Sequence, residues 1–479
     1  MNITKTACLL FAIFQSITIN AQIILNIKDY GADSSGKNDN TVIFQKAIDD
    51  LAESGGGVLT IPKGTYGIKS VSFVGKKYSN ITIKGQDATI KQLLPKDRKI
   101  LKQSQFNTFA TKLGADGCFL FDAGVSNQKK DSESIKNIHI YGLTFFSEVN
   151  KHGFDELLHQ ISAHGVSNFL VENCNFIGFL GDAIAINGGT DFSKNRNAYN
   201  KNIQIINCKF DGINKDNRQG ISIYYADDFL IDKCVFENIT REDMPGAIDI
   251  ESDDPTNVSR NGMIKDCSFE NIGGIGAIVF NIRASRKENN YSYKNFKVEN
   301  CIFKNTNCVI TVIGNEDFKN FSSKVNIIYL KNLKVTNSFM LFDFRKAYGI
   351  SAENVTAQNI INTHHNLVTD GGASQINFLN CTFDGFANPN GLGFFGETKN
   401  INFIGNTFKN FNKNAITINS AKGLGEFSNN KFISTKTKGG LPLVTQYYKD
   451  KSDIENSKFS GNTSLQNFEK LNINFFYKP

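Results

Sequence analysis

The chain has 479 residues, 40% hydrophobic and 21% charged, and 53 Lys+Arg against 46 Asp+Glu give a formal charge of +7. Its 41 Phe and 14 Tyr exclude global disorder, and 7 Pro against 40 Gly exclude a collagenous or Pro-rich chain. There is no Trp, so any ring that stacks on a ligand must be Tyr or Phe.

Residues 1–21 read as a secretory leader. Lys5 precedes an apolar run from Ala7 to Ile19, which ends at Asn20-Ala21 before Gln22. A basic start, an apolar stretch too short for a span and a small residue at the cut are the marks of such a segment. No later stretch is long and apolar enough to cross a bilayer. The mature protein is therefore expected to be secreted or periplasmic. Residues 22–479 should form a single, monomeric domain with no nucleic-acid or membrane partner.

Residues 22–66 form a cap and a first coil. Ile23–Ile27 reads as a strand, and Asp39-Asn40 precedes Phe44, Ala47, Ile48 and Leu51. That i, i+3, i+4, i+7 stripe is an amphipathic helix, stopped at Gly55-Gly56-Gly57. Val58–Ile61 starts a coil that turns at Pro62–Tyr66.

A repeat then organises the chain. The segments Val171–Phe176, Ile205–Phe210, Ile231–Phe236, Ile264–Phe269 and Val298–Phe303 each carry Cys at the fourth and Phe at the sixth place. Phe378–Phe383 repeats the pattern, and Ile404–Phe408, Phe427–Phe432 and Ile454–Phe459 continue it in weaker form. From Cys174 the intervals are 34, 26, 33 and 34 residues, a period that points to a solenoid. Gly178, Gly212, Asn238, Asn271, Asn305, Gly385 and Asn410 stand two places after each Phe, where a left-handed corner is expected. The segments alternate with period 2, not 3.6. They predict an all-β fold, a right-handed parallel β-helix solenoid with an N-terminal capping helix. Eight Cys follow the leader, and those in the repeat should form an inward ladder of thiols, not disulfides or a metal site.

Asp29–Ala32, the helix, Gly55–Gly57 and Pro62–Tyr66 resemble the entrance of the pectate-lyase-like β-helix superfamily. That group includes polygalacturonase-type hydrolases, iota-carrageenases, polysaccharide lyases, alginate epimerases and phage tailspikes. The resemblance implies the fold and a carbohydrate ligand; it does not identify a reaction.

A second strand series lies upstream of the Cys/Phe segments, opened by Ile161, Ile184, Ile221, Ile248 and Ile278. Residues beside these inward Ile point outward. One column reads His159, Asp182, Gln219, Gly246, Gly276; a second Ser162, Ala185, Ser222, Asp249, Val279; a third His164, Asn187, Tyr224, Glu251, Asn281. Column neighbours are ~4.8 Å apart and outward neighbours on one strand ~7 Å. A continuous polar groove is expected.

Asp249 and Glu251 on one strand suit the carboxyl pair of an inverting glycoside hydrolase, which needs ~6.5–9.5 Å between an acid and a base. Asp182 adds a third carboxylate, and Gln219 with Arg218 would hold the water or a substrate anion. This arrangement resembles the iota-carrageenases, whereas no Asn-Thr-Asp, Gly-His-Gly or Asp-Pro-His motif occurs. No cofactor is required on this reading, but Asp249, Glu251, Asp253 and Asp254 also suit a calcium site. A lyase is the rival: Asn187 or Arg218 would neutralise a uronate, His164 take the α-proton and Tyr224 protonate the leaving oxygen. A non-catalytic glycan-binding β-helix is the third reading.

The substrate is expected to be an acidic polysaccharide, met by His159, Asn187, Arg218, Asn281 and Arg283. Lys194, Arg196 and Lys201 after Asn187, and Arg283, Arg286, Lys287 and Lys294 after Asn281, outnumber Asp191 and Glu288. Such a basic rim concentrates a polyanion.

Overall fold

The computed structural model describes residues 23–94, 116–123, 133–187, 200–215, 217–251, 259–282, 293–314, 327–362, 367–368, 372–396, 398–420, 424–433, 443–447 and 458–464. The leader therefore lies outside the described residues, as do Arg283, Asp253, Asp254 and most of the basic segments. No helix among the described residues is long and apolar enough to cross a membrane.

Among the described residues, strands one repeat apart pair in parallel, in sheets of 29, 10 and 3 strands. The register follows the repeat: Val171 faces Ile205, then Ile231, Ile264 and Val298. Phe176, Phe210, Phe236, Phe269 and Phe303 stack face to face with centroids 4.7 to 4.9 Å apart. That spacing is the strand repeat itself, so one Phe per coil fills the core without a gap. This is the right-handed parallel β-helix that the repeat predicted.

Left-handed residues recur at more than one place in each coil, one of them the column Asn168, Asn202, Asp228, Asn261 and Asn295. Gly178, Asn238, Asn271, Asn305, Gly385 and Asn410 have positive φ as expected. At Gly212 the expectation fails: Ile213 (φ 51) and Asn214 (φ 57) carry the turn. Glycine serves there for close approach, because a Cβ would lie 2.4 Å from the Asn238 carbonyl oxygen. A further corner falls just before each Cys, at Asn173, Asn207, Lys233, Asp266 and Asn300, all with φ between 51 and 56. Asparagine tolerates αL, and here its amide also bonds its counterpart: Asn300 donates to Asp266 (3.1 Å) and Asn332 to Asn300 (2.9 Å).

The helix Thr41–Glu53 buries Phe44, Ala47, Ile48, Leu51 and Ala52 against the first coils, the stripe read from sequence. Tyr66 closes the entrance, its ring edge-on to Phe44 and its hydroxyl donating to the Pro62 carbonyl (3.0 Å).

The eight described Cys are buried and free. In the ladder each thiol donates to a carbonyl one coil back: Cys208 to Val171, Cys234 to Ile205 and Cys267 to Ile231. All five thiols of the ladder are buried, so a reagent reaches them only when the coils open. Native protein treated with iodoacetamide should therefore stay unmodified at Cys174, Cys208, Cys234, Cys267 and Cys301, and mass mapping should find all five alkylated after unfolding. Labelling of the native ladder, or a disulfide within it, would contradict the packing.

Candidate active site

The ten-stranded sheet carries the polar columns in the expected register. Ile161, Ile184, Ile221, Ile248, Ile278 and Ile310 align, and Ser162, Ala185, Ser222, Asp249 and Val279 align beside them. Asn187 pairs with His164, and Glu251 with Asn281.

Much of this face is buried. His159, Ser162, His164, Asp182, Gln219, Ser222, Asp249 and Asn281 are buried, while Asn187, Arg218, Tyr224 and Glu251 are partly exposed. Stacking at one-coil spacing sets these outward side chains against their neighbours on adjoining coils. The segment before the first of these strands adds cover, since Glu156 reaches across to Arg218.

Contacts run from coil to coil. His159 Nδ1 accepts the Asp182 backbone N–H at 3.0 Å, so the neutral ring carries its proton on Nε2. Burial lowers the pKa of this imidazole, and the 3.5 Å approach of the Asp182 carboxylate is therefore not an ion pair. Arg218 takes up that carboxylate instead, donating from Nη1 to both oxygens (3.1 and 3.3 Å), and from Nη2 to Glu156 (3.1 Å). Burial opposes the charge on Arg218, but Asp182 and Tyr224 outweigh it. Burial and then Asp182 hold the Tyr224 hydroxyl well above its usual range, so it stays protonated. Arg218, assigned from sequence to a substrate anion, is already committed to these partners.

Asp249 is the centre of the cluster. Its side chain is 0% exposed and Gln219 Nε2 donates to Oδ2 at 3.3 Å. Burial, then the adjoining Glu251, raise its pKa well above the carboxylate range, and the two carboxyl groups share a hydrogen bond. They are thus in contact, not a water's width apart as the ~7 Å strand spacing suggested. The reason is electrostatic: two neighbouring carboxyls out of water are most stable when one keeps its proton and donates it to the other. Asn281 Nδ2 grips Glu251 Oε1 at 2.6 Å.

Several polar atoms are left over. Gln219 Oε1, Ser222 Oγ, Asp249 Oδ1, His164 Nδ1 and Asn281 Oδ1 are buried without a hydrogen-bond partner among the described residues. Unpaired buried groups are costly, so the three on the adjoining coils of Gln219, Ser222 and Asp249 mark a place suited to a polar ligand or ordered water. His164 Nε2 lies 2.9 Å from Ser162 Oγ, and burial takes its pKa down to about 3. No three His, Cys, Asp or Glu among the described residues are grouped to hold a metal ion.

Sequence reasoning missed Glu156. It lies outside the strand columns and reaches Arg218 across 62 positions, a contact with no periodic signal.

Residues 24–210 match the family model described as rhamnogalacturonase A/epimerase, pectate lyase-like. The fold is that of the pectate-lyase-like β-helices. Uncharacterized protein YclG of Bacillus subtilis is 23% identical over 291 residues, 57% of this chain and 47% of that protein. The chain thus spans about half the length of that curated relative. Tailspike protein 3 of bacteriophage CBA120 superposes with a TM-score of 0.58 at 13% identity, over 92% of this chain and 61% of that one. The catalytic unit of an alpha-1,3-glucanase from Streptomyces thermodiastaticus gives 0.50 at 13% identity, over 92% and 68%. At such identities the likeness extends to the parallel β-helix fold and no further.

Proposed function

We propose that this protein is a secreted glycoside hydrolase that cleaves an acidic polysaccharide, one carrying uronate or sulfate groups, with Asp249 and Glu251 as its acid and base. The observation that carries the reading is the fully buried Asp249 carboxyl, whose pKa is raised by burial and by Glu251, beside that second, partly exposed carboxyl. Asp249 would protonate the glycosidic oxygen as the C–O bond breaks. Water would attack the anomeric carbon and pass its proton to Glu251. The two groups touch at rest, so a sugar entering between them must separate them toward the ~6.5–9.5 Å that inversion uses. Asn281 would steady Glu251, and the orphaned Gln219 Oε1 would receive a substrate hydroxyl or the attacking water. The expected acidity of the substrate rests on the +7 charge of the chain and on the basic residues around Lys194 and Arg283.

Elimination is supported by one observation, the protonated Tyr224 beside Arg218, which would suit the acid of a lyase. His164 counts against it: a ring with a pKa near 3 is a poor acceptor for an α-proton at neutral pH.

The test is a product assay on polygalacturonate, alginate and a sulfated galactan. Reducing ends without new ultraviolet absorbance are expected from at least one of them. An unsaturated uronide would move the chemistry to Tyr224, and retention on a polymer without any product would make the protein a glycan-binding β-helix.

A further inference from the structure

The segment before the first strand of the groove does more than cover it. Residues 153–157 leave the coil of His159, and Asp155 N–H bonds the Leu180 carbonyl one coil on (3.1 Å). Glu156 bonds Arg218 on the next coil, and Phe154 meets Arg241, which precedes the strand of Asp249. Contacts of the segment therefore reach up to three coils on, the last two through the long side chains of Arg218 and Arg241.

At its far end stands an aromatic ring. The Arg241 guanidinium lies 3.4 Å from the Phe154 ring centroid, and Asp243 holds that guanidinium through Nη2 (2.9 Å) and Nε. Phe154 is nevertheless 36% exposed, while the Arg241 side chain is only 17% exposed. One face of the ring is occupied by the cation, so the exposed part lies away from it. A single exposed Phe is ordinary on a protein surface. A ring stacked on a clamped guanidinium, carried by a segment tied to Arg218 and so to Asp182, is oriented in advance.

We propose that Phe154 is a sugar-stacking platform at the rim of the groove, beside the coil of Asp249, and that Arg241 and Asp243 act as positioning residues for it. This rests on the reading of the groove as a polysaccharide site. The ligand surface it takes is the apolar C–H face of a pyranose ring, which packs on an aromatic while its hydroxyls stay in water. Without Trp in the chain, a Phe is the largest purely apolar ring available for this.

Affinity electrophoresis through polygalacturonate, alginate and a sulfated galactan tests the platform independently of turnover. Phe154→Ala should weaken retardation by the retained polymer about tenfold. Phe154→Trp should restore it, and both variants should melt within about 1 °C of wild type, as surface changes do. If turnover is found, KM should carry the loss and kcat should not. Phe154→Ala retarded like wild type would overturn the platform whatever the activity. So would a loss that tracks a lower melting temperature and is not rescued by Trp, or a wild-type protein retarded by none of the three polymers. Retardation that depends on Phe154 without hydrolysis would leave the platform standing and remove the acid/base assignment.

Discussion

Replacing Asp249 by Asn should lower turnover by about two to four orders of magnitude, the usual contribution of a positioned acid. The fold should survive, because an amide of the same shape can still accept from Gln219 and donate to Glu251. The stability effect has a defined sign. The native carboxyl keeps its proton well above the usual carboxylate range, whereas in the unfolded chain it is lost near pH ~4. Between these limits the native state binds more protons, so stability is fully present below the unfolded pKa and is lost as pH rises through the folded one. Asn does not titrate and is spared that loss. Melting curves from pH 4 to pH 8 should show the variant gaining on wild type as pH increases. The alkaline limb of the wild-type activity profile should report the same group losing its proton. A variant that keeps full activity, or that is destabilised equally at both ends of the range, would refute the assignment. Glu251→Gln should be as inactive, with a smaller gain at high pH, because it removes one of the two causes that raise the Asp249 pKa.

Phe236→Ala should remove about 3–5 kcal/mol of stability, the cost of a large cavity in a rigid core. The ring stacks at 4.7 Å on Phe210 and 4.9 Å on Phe269, nearly parallel to both, so its loss leaves both neighbours without a partner on one side. Phe236→Leu refills part of the space and should cost less. In a solenoid each coil contacts only its neighbours, so the damage should be local. Hydrogen exchange should show amides of Ile205–Phe210, Ile231–Ile239 and Ile264–Ile272 losing protection before those near the capping helix. Uniform deprotection along the chain would show that the coils melt as one unit, against this account. The strand Ile248–Glu251 belongs to the same coil, so the variant should also lose activity at a lower temperature.

The solenoid was legible in the amino-acid sequence because its order is local and repeated. A Cys and a Phe two places apart, returning every 26 to 34 residues, specify inward positions, register and strand direction together. The capping helix was legible for the same reason, through the spacing of Phe44, Ala47, Ile48 and Leu51. The three outward columns also followed from alternation, and contacts such as Gln219 to Asp249 and Glu251 to Asn281 join residues placed on neighbouring coils in advance. The corner at Asn173 and its successors was not read, because Asn, Lys and Asp share that place and only the backbone shows their common φ.

Chemistry within the columns depended on what periodicity does not carry. Strand spacing places the Asp249 and Glu251 backbones, but rotamers bring their carboxyls together, and burial with the Glu251 charge raises the Asp249 pKa. Burial sets the character of His164 and Tyr224, making one a weak base and the other a retained acid. Glu156 and Phe154 lie in an aperiodic segment, and their partners Arg218 and Arg241 are 62 and 87 positions away. Folding alone brings such pairs together: repeats encode distances along the chain in steps of one coil, whereas a segment that crosses several coils is positioned only by the surface it lands on.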